Sequence, residues 1–311
     1  MTELRDATKQ SPAATGEAAG GDHGSAPSTV PDDRSSASSG AGPSPLASRA
    51  SGLLAGAWER VGSIARLLAS VTLTVAIWWT IANAEVFPPQ VLPSPPAVWA
   101  ALVAMATDGP LLTDLYWSAR RAVSGFVLGS TLAILFGVLT ARSRTANTLL
   151  EGTFQLIRPI PAIALVPLAI MWFGIDEGSK LFLVTVGVFF PVWITAHSGV
   201  SGVRTDYVDV ARCLSASRRQ TLLEVILPAA LPVIMAGLRV GIATAFILIV
   251  AAEMTGATAG LGFRLDQARL FSQADSLFVA LLMLGLLGAV ADQLFSRLIA
   301  PMTKWSSQQR G

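Results

Sequence analysis

The sequence has little of what disulfide-linked, metal-binding and catalytic proteins depend on. It contains one cysteine and two histidines in 311 residues, which excludes an internal disulfide and a cysteine-built metal site. Asp, His and Ser do not cluster at catalytic spacing, so no catalytic residue, metal ligand or cofactor site is predicted. The chain also lacks the G-x-x-x-x-G-K-S/T phosphate loop and cannot cradle ATP by that device. We therefore expect no enzymatic activity from this chain itself.

Charged residues are scarce as well. They make up 14% of the sequence, against about a quarter in typical soluble domains. Hydrophobic residues make up 52%, and the mean hydropathy is +0.57. This composition predicts a protein embedded in a lipid bilayer. The net charge of +2 is not gathered into a basic face, so nucleic acid is not expected as a partner.

The first 55 residues differ in composition from the rest of the chain. They are rich in Ser, Ala, Gly, Pro and Asp and have almost no large apolar side chains, so burial could not offset the entropy lost on ordering them. They also lack the apolar core of a signal peptide, so no cleavage is expected. Residues 1–55 are predicted to be a disordered tail.

Six apolar runs approach the roughly 20 helical residues that cross a bilayer. They cover residues 64–83, 122–141, 154–173, 181–196, 231–253 and 277–291. Gly125, Gly129 and Gly137 give the second run a small-residue face on which another helix can pack closely. The predicted fold is an all-α membrane protein of about six transmembrane helices. Its first helix and flanks occupy residues 56–90, and a domain of five core helices occupies residues 91–311.

The basic residues predict the orientation, because cytoplasmic loops carry an excess of Lys and Arg. The connection at 198–230 holds four arginines, whereas residues 85–116 hold no Lys or Arg. Five basic residues fall on the other side against the bias: Arg120, Arg121, Lys180, Arg264 and Arg269. With six crossings, both termini and the 198–230 connection are expected in the cytoplasm.

That connection contains a short amphipathic helix. Tyr207, Val210, Ala211 and Leu214 recur at i, i+3, i+4 and i+7, the spacing of one apolar helical face. A helix this short needs a membrane surface or a protein groove to receive that face. A second helix is predicted to begin at Ser217, because S-x-x-Q forms a capping box with Gln220.

The same stretch resembles the cytoplasmic loop motif of the permease subunits of binding-protein-dependent ABC importers. That motif reads E-A-A, three residues, G, nine residues and I-x-L-P; here Asp209, Val210, Ala211, Ser215, Val225, Leu227 and Pro228 stand at those positions. Ser215 replaces the glycine, and a positive φ at this position would be mildly strained.

Three further stretches resemble the nitrate, sulfonate and taurine branch of this family. They read "VLPSPPAVWAAL", "RPIPAIALVPLAIMWFGIDEGSKLFLVTVGVFFPVW" and "AAEMTGATAGLGFRL". The likeness covers about residues 88–300.

The resemblance implies an importer-type permease core whose loop at 206–230 is a coupling helix. The residues implied to contact an ATPase are Tyr207, Asp209, Val210, Ala211, Leu214, Ser215, Arg218, Arg219, Leu227 and Pro228. The implied partners are two copies of a cytoplasmic ABC ATPase, a second permease copy and an extracytoplasmic solute-binding protein. A homodimer is favoured, although pairing with a related permease stays open. The implied location is the bacterial inner membrane, and the solute is a small organic or anionic one such as a sulfonate, taurine or nitrate.

Four residues within the spans are candidates for the solute path. Pro161 and Pro167 interrupt backbone bonding, and such backbone lies against protein or water rather than lipid. Arg239 and Glu253 are ionisable, and Arg239 would suit an anionic solute. The prolines could equally be kinks that serve helix packing. For the two charges, structural pairing or snorkelling to an interface is the stronger interpretation. The alternative function is an ATP-independent secondary transporter or channel.

Overall fold

The computed structural model of the chain describes residues 65–66, 68–84, 86–107 and 109–303. The predicted tail at 1–55 lies outside these residues, as do parts of the 56–90 segment. The described elements are helices, as predicted: α1 (Leu68–Asn83), α2 (Pro95–Thr107), α3 (Leu111–Arg142), α4 (Arg144–Ile157), α5 (Val166–Phe173), α6 (Glu177–Ser201), α7 (Thr205–Cys213), α8 (Arg218–Gln220), α9 (Leu227–Met254), α10 (Leu261–Leu270) and α11 (Ala274–Thr303). A 3₁₀ turn (Ala162–Leu165) precedes α5, and a π-helical turn (Thr221–Ile226) joins α8 to α9.

Four described helices are long and apolar enough to cross a membrane. They are Leu111–Arg142, Glu177–Ser201, Arg218–Met254 and Ala274–Ile299, and they contain the second, fourth, fifth and sixth predicted spans. The described part of the first predicted span, α1, is a shorter apolar helix.

The third predicted span, residues 154–173, is not one helix. It is divided between α4 and α5, which are bent by 86° relative to each other. Pro159 and Pro161 stand at the break, and neither has the N–H needed to continue the helical hydrogen bonds. Counting the bent pair as one crossing gives up to five spans among the described helices.

Close packing of α3, α6 and α9 forms the largest buried cluster of the described chain. A Cβ added at Gly125 would lie 2.6 Å from Val184, and one added at Gly137 would lie 2.6 Å from Ala196. The predicted small-residue face of α3 is therefore confirmed. Residue numbers at these contacts increase together along α3 and α6, so these two helices run parallel. The helix α9 packs against them in the opposite direction.

The spans have two distinguishable ends. We call the end that carries α7, together with Arg142, the α7 end. We call the other, where α10 and the loop at 255–260 meet the starts of α3 and α6, the α10 end. Trp78 attaches α1 near this second end: its indole N–H donates to the Pro93 carbonyl at 3.0 Å, and its ring stacks on Phe278.

Candidate functional site

The loop between α6 and α9 presents an exposed apolar surface. Tyr207, Val210 and Leu214 are 43%, 59% and 77% exposed. Ala211 belongs to the same predicted face but is buried, and Val208 packs against a buried apolar cluster at the base of the loop. The helix α7 is thus held to the spans by small side chains, while larger apolar side chains point away from them.

A tight turn fixes the end of α7. The Ser215 N–H donates to the Arg212 carbonyl at 2.9 Å, and the Ala216 N–H donates to the Ala211 carbonyl at 3.0 Å. This pair of bonds is a Schellman motif, which needs a left-handed residue after the helix. Ser215 has φ 57°, so it adopts the positive φ that the glycine of the motif would allow. A non-glycine residue there costs about 1 kcal/mol.

The predicted capping box is present immediately after this turn. The Ser217 N–H donates to the Gln220 side-chain oxygen at 2.9 Å, and the Gln220 N–H donates to the Ser217 hydroxyl at 3.3 Å. The wider π-helical turn follows and ends just before Pro228, which has no N–H to offer the Glu224 carbonyl. From Arg218 to Met254 the chain nevertheless forms one continuous helical rod of 37 residues.

Charged side chains surround the exposed surface of α7. Asp209 accepts from Arg212 at 3.0 Å, and Asp206 accepts from Arg204 at 2.6 Å. The hydrogen bond and charge of Asp206 raise the pKa of the Arg204 guanidinium. Such exposed pairs orient side chains and add little stability. Beside them, Arg218 lines a cavity of about 520 Å³ with Arg142 and Arg212, and Arg219 is exposed.

Glu253, a predicted solute-path residue, is enclosed at the α10 end. Its side chain has no exposed surface. The Arg121 guanidinium donates to its carboxylate at 2.8 Å, the Ser118 hydroxyl lies 2.7 Å from one oxygen, and the Gly262 N–H donates at 2.9 Å. Because these partners surround the charge, the structure favours the pairing interpretation of Glu253.

The cluster around Glu253 extends to a second buried carboxylate. Asp114 accepts from the Gly260 N–H at 2.8 Å and from Arg264 at 2.9 Å. Gly260 has φ 130°, and a Cβ there would overlap the Glu253 carboxylate. Arg121 also donates to Glu177, at 2.7 and 2.8 Å. These bonds fasten the loop at 255–260 to α3, α6 and α9.

Sequence reasoning missed most of this cluster. Asp114 and Ser118 were not singled out, and Arg121 was counted only as a basic residue against the charge bias. The sequence did contain an indication of it. Arg121 directly precedes the apolar run at 122–141, and an arginine that is buried at such a position requires a partner for its charge. The identity of that partner required the tertiary structure, since Arg121 and Glu253 lie 132 positions apart.

Arg239, the other ionisable candidate, forms a bidentate pair with Asp292. The two bonds measure 2.8 and 2.7 Å and join α9 to α11. Unlike Glu253, the Arg239 side chain is 60% exposed, although it lies near the middle of a membrane-length helix. A charge pair exposed to hydrocarbon is costly. This surface is therefore expected to meet protein or water.

Pro161, in the broken span, lies beside an apolar cavity. Pro161 begins the 3₁₀ turn and lines a cavity of about 530 Å³, while Pro167 stands in the first turn of α5. Arg158, which ends α4, lines this cavity and also a more polar one of about 410 Å³. Pro161, Glu253 and Arg239 therefore lie in three different parts of the structure. Arg158 lies in the same part as Pro161.

Comparisons of this chain with known proteins find membrane transport proteins. A family model described as a binding-protein-dependent transport system inner membrane component matches residues 129–304. A Bacillus subtilis protein named as the aliphatic sulfonates transport permease SsuC is 34% identical over 253 residues, covering 81% of this chain and 91% of that protein. The Escherichia coli taurine transport system permease protein TauC is 31% identical over 256 residues, covering 81% and 93%.

A solved structure shares the fold. It shows inward-facing conformations of the MetNI methionine ABC transporter, with a TM-score of 0.54 and 20% sequence identity. The match covers 62% of this chain and 96% of that one. The chain therefore belongs to the family of binding-protein-dependent transport system inner membrane components, and it is a multi-pass permease subunit of an ABC importer in the bacterial inner membrane.

Proposed function

We propose that two copies of this permease form one translocation unit that imports a small organic anion. A cytoplasmic ATPase docks on the α7 loop of each copy, and an extracytoplasmic binding protein delivers the solute. The observation that carries the proposal is the exposure of Tyr207, Val210 and Leu214 on a loop whose backbone is fixed on both sides of Ser215.

The ATPase contact follows from the surface of the loop. Its exposed apolar side chains gain free energy when a protein groove removes them from water. The neighbouring charges of Asp209, Arg218 and Arg219 would set the orientation of docking. Ala211 and Ser215 hold the shape of the contact, and Leu227 and Pro228 begin α9 behind it.

The geometry also supports mechanical coupling. Because Arg218–Met254 is one continuous helical rod, a displacement of the docked loop is passed to α9 and hence to the packed core of α3, α6 and α9. Nucleotide-driven closure of the two ATPases would thereby reorient the two permeases.

Charge supports placing the α7 end in the cytoplasm. Arg204, Arg212, Arg218 and Arg219 all belong to the loop at this end. When α1 and the bent pair of α4 and α5 are each counted as one crossing beside the four long helices, six crossings place both termini on the same side.

The second copy is proposed to cover the exposed surface near Arg239 and Asp292. This places the ion pair against protein or water instead of lipid. Two ATPases also need two α7 loops, whereas each chain supplies one. We propose a homodimer, in which the same surface of both copies meets around a two-fold axis.

The solute class is proposed from the named relatives and from the broken span. Aliphatic sulfonates and taurine both carry a sulfonate group, so the shared chemistry is an anionic head group on a short organic chain. The bend at Pro161 would line the path, with Pro167 following it in the first turn of α5 and Arg239 beside the second copy. Glu253 would act on the path through the loop that it holds, because its own carboxylate is enclosed.

Purification of the tagged protein from its own membrane tests this proposal. The protein is extracted gently by a C-terminal tag, and the proteins that accompany it are identified and quantified by mass spectrometry. An ATPase with a phosphate loop, in a one-to-one ratio, is the expected result. An intact, folded preparation without an ATPase would indicate a gradient-driven carrier instead.

A further inference from the structure

We propose that Arg158 contacts the solute, and that it binds the anionic head group of an organic anion whose aliphatic part lies in the adjoining apolar cavity. This rests on the proposed import function, and it adds a residue that recognises the solute.

The backbone next to Arg158 does not form a regular helix. This break lies at the same depth as the middle of α6. Arg158 and Pro161 bound the 86° break between α4 and α5. The adjoining cavity is lined by Gly187 and Pro191, which lie near the middle of α6. Irregular backbone at membrane depth is tolerated only against protein or a water-filled space. The break is therefore better suited to lining a path than to facing lipid.

The cavity beside the break has a mainly hydrocarbon surface. Its volume is about 530 Å³, and its lining includes Ile160, Ile163, Phe190 and Ile247. Among the described residues that line it, Arg158 is the one with an ionisable side chain. A bare inorganic anion would gain nothing from this surface, whereas a short aliphatic chain would be removed from water.

Arg158 lies where this cavity meets a polar one. The second cavity, of about 410 Å³, shares Arg158 and Ile194 with the first and is also lined by Gln155 and His197. Its lining extends to His197 and Ser198, which lie toward the α7 end of α6. In the proposed orientation, a solute passing inward would leave the apolar cavity at Arg158 and reach polar surroundings next.

The charge of Arg158 is available for a ligand. Within the described part of the chain, no carboxylate lies within 4.0 Å of its guanidinium, whereas Arg239 and Arg121 are both engaged by carboxylates. Glu151, in the same polar cavity, instead accepts from Asn147 at 2.5 Å and Gln155 at 3.1 Å. A guanidinium fork matches the oxygens of a sulfonate or carboxylate in bidentate geometry.

The test measures uptake of radiolabelled ethanesulfonate and hexanesulfonate by cells whose own permease gene is replaced by each variant. Arg158→Gln should lower uptake of both by about tenfold, the effect of losing one charged hydrogen bond. Arg158→Lys should retain part of the uptake, because the charge remains. Arg144→Gln, which removes an exposed arginine from the start of the same helix, is the matched control and should stay within about twofold.

A variant of the cavity wall tests the aliphatic part. Ile163→Phe fills space next to the bend and should lower hexanesulfonate uptake more than ethanesulfonate uptake. ATPase co-purification and basal ATP hydrolysis are measured on every variant and should be unchanged. A merely structural role of Arg158 would lower these as well.

The outcomes separate this inference from the import function. Equal uptake by Arg158→Gln and Arg144→Gln, in complexes that retain the ATPase and take up sulfonates, would overturn the role of Arg158 alone. A wild-type chain that takes up neither sulfonate in an ATP-dependent manner would overturn the solute class in both proposals.

Discussion

The hydroxyl of Ser118 lies 2.7 Å from a carboxylate oxygen of Glu253, although the two residues are 135 positions apart in the chain. The same hydroxyl accepts a hydrogen bond from the Leu261 N–H at 2.8 Å. One side chain thus joins α3, the end of α9 and the start of α10. All three groups are buried, so each would lose solvation without its partner. The α10 end of this largely apolar protein is consequently held by polar contacts.

Arg121→Met should strongly destabilise the protein. The substitution leaves Glu253 buried without its cation, which typically costs roughly 3–5 kcal/mol. Thermal unfolding of the purified protein in detergent measures the effect. The double variant Arg121→Met with Glu253→Gln should be more stable than the single one, because no unpaired charge remains.

Arg269→Met is the control for this experiment. Arg269 pairs with Asp266 at the same end of the molecule, but its side chain is 59% exposed. Its loss should change the unfolding temperature little. Equal effects of the two single substitutions would show that the buried cluster does not stabilise the α10 end.

Leu214→Asp and Asp209→Arg should abolish ATPase association and leave membrane insertion intact. The first places a charge on the most exposed apolar side chain of the loop, and the second reverses a charge beside it. Co-purification of the ATPase with tagged permease, normalised to permease in the membrane, is the measurement.

Leu112→Asp is a matched control for the loop variants. Leu112 is 71% exposed, close to the 77% of Leu214, but it lies at the α10 end of α3. The same substitution there should leave ATPase association unchanged. Retained association in both loop variants would mean that the docking surface lies elsewhere.

Ser215→Gly should stabilise the turn at the end of α7. Glycine adopts a positive φ without the cost of about 1 kcal/mol that a side chain carries. Amide hydrogen exchange at position 215 and at Ala216, whose N–H groups close the turn, should therefore slow by roughly fivefold. Ser215→Val should have the opposite effect because a β-branched side chain is more strained there. Faster exchange in the glycine variant would contradict the assigned turn.

Arg239→Gln should lower uptake of an anionic solute by roughly threefold while the permease and its ATPase still co-purify. The reason is the loss of a positive charge from a surface proposed to border the path. The charge-swapped variant, Arg239→Asp with Asp292→Arg, restores the pair but reverses its arrangement. If uptake returns to the wild-type level in the swapped variant, the pair is structural and Arg239 does not act on the solute.

Local pattern was sufficient for the elements of this fold that depend on neighbouring residues. The apolar runs predicted the long helices, and S-x-x-Q predicted the start of α8, because capping is decided within four residues. The small-residue face of α3 was predicted for the same reason, since Gly125 and Gly137 share one helical face. The break of the third span was less evident, because prolines allow either a kink or an end to a helix.

The same distinction between local sequence pattern and tertiary packing applies to the functional residues. The sequence by itself determined an all-helical membrane protein and the shape of its exposed loop, since hydropathy, caps and the turn at Ser215 are local properties. Only the tertiary structure decided the surroundings of the charges: it enclosed Glu253 with Arg121, paired Arg239 with Asp292, and left Arg158 beside a cavity. The physical reason is that a charge in an apolar span must find a partner, and the partner is supplied by helices that are distant in sequence and close only after packing.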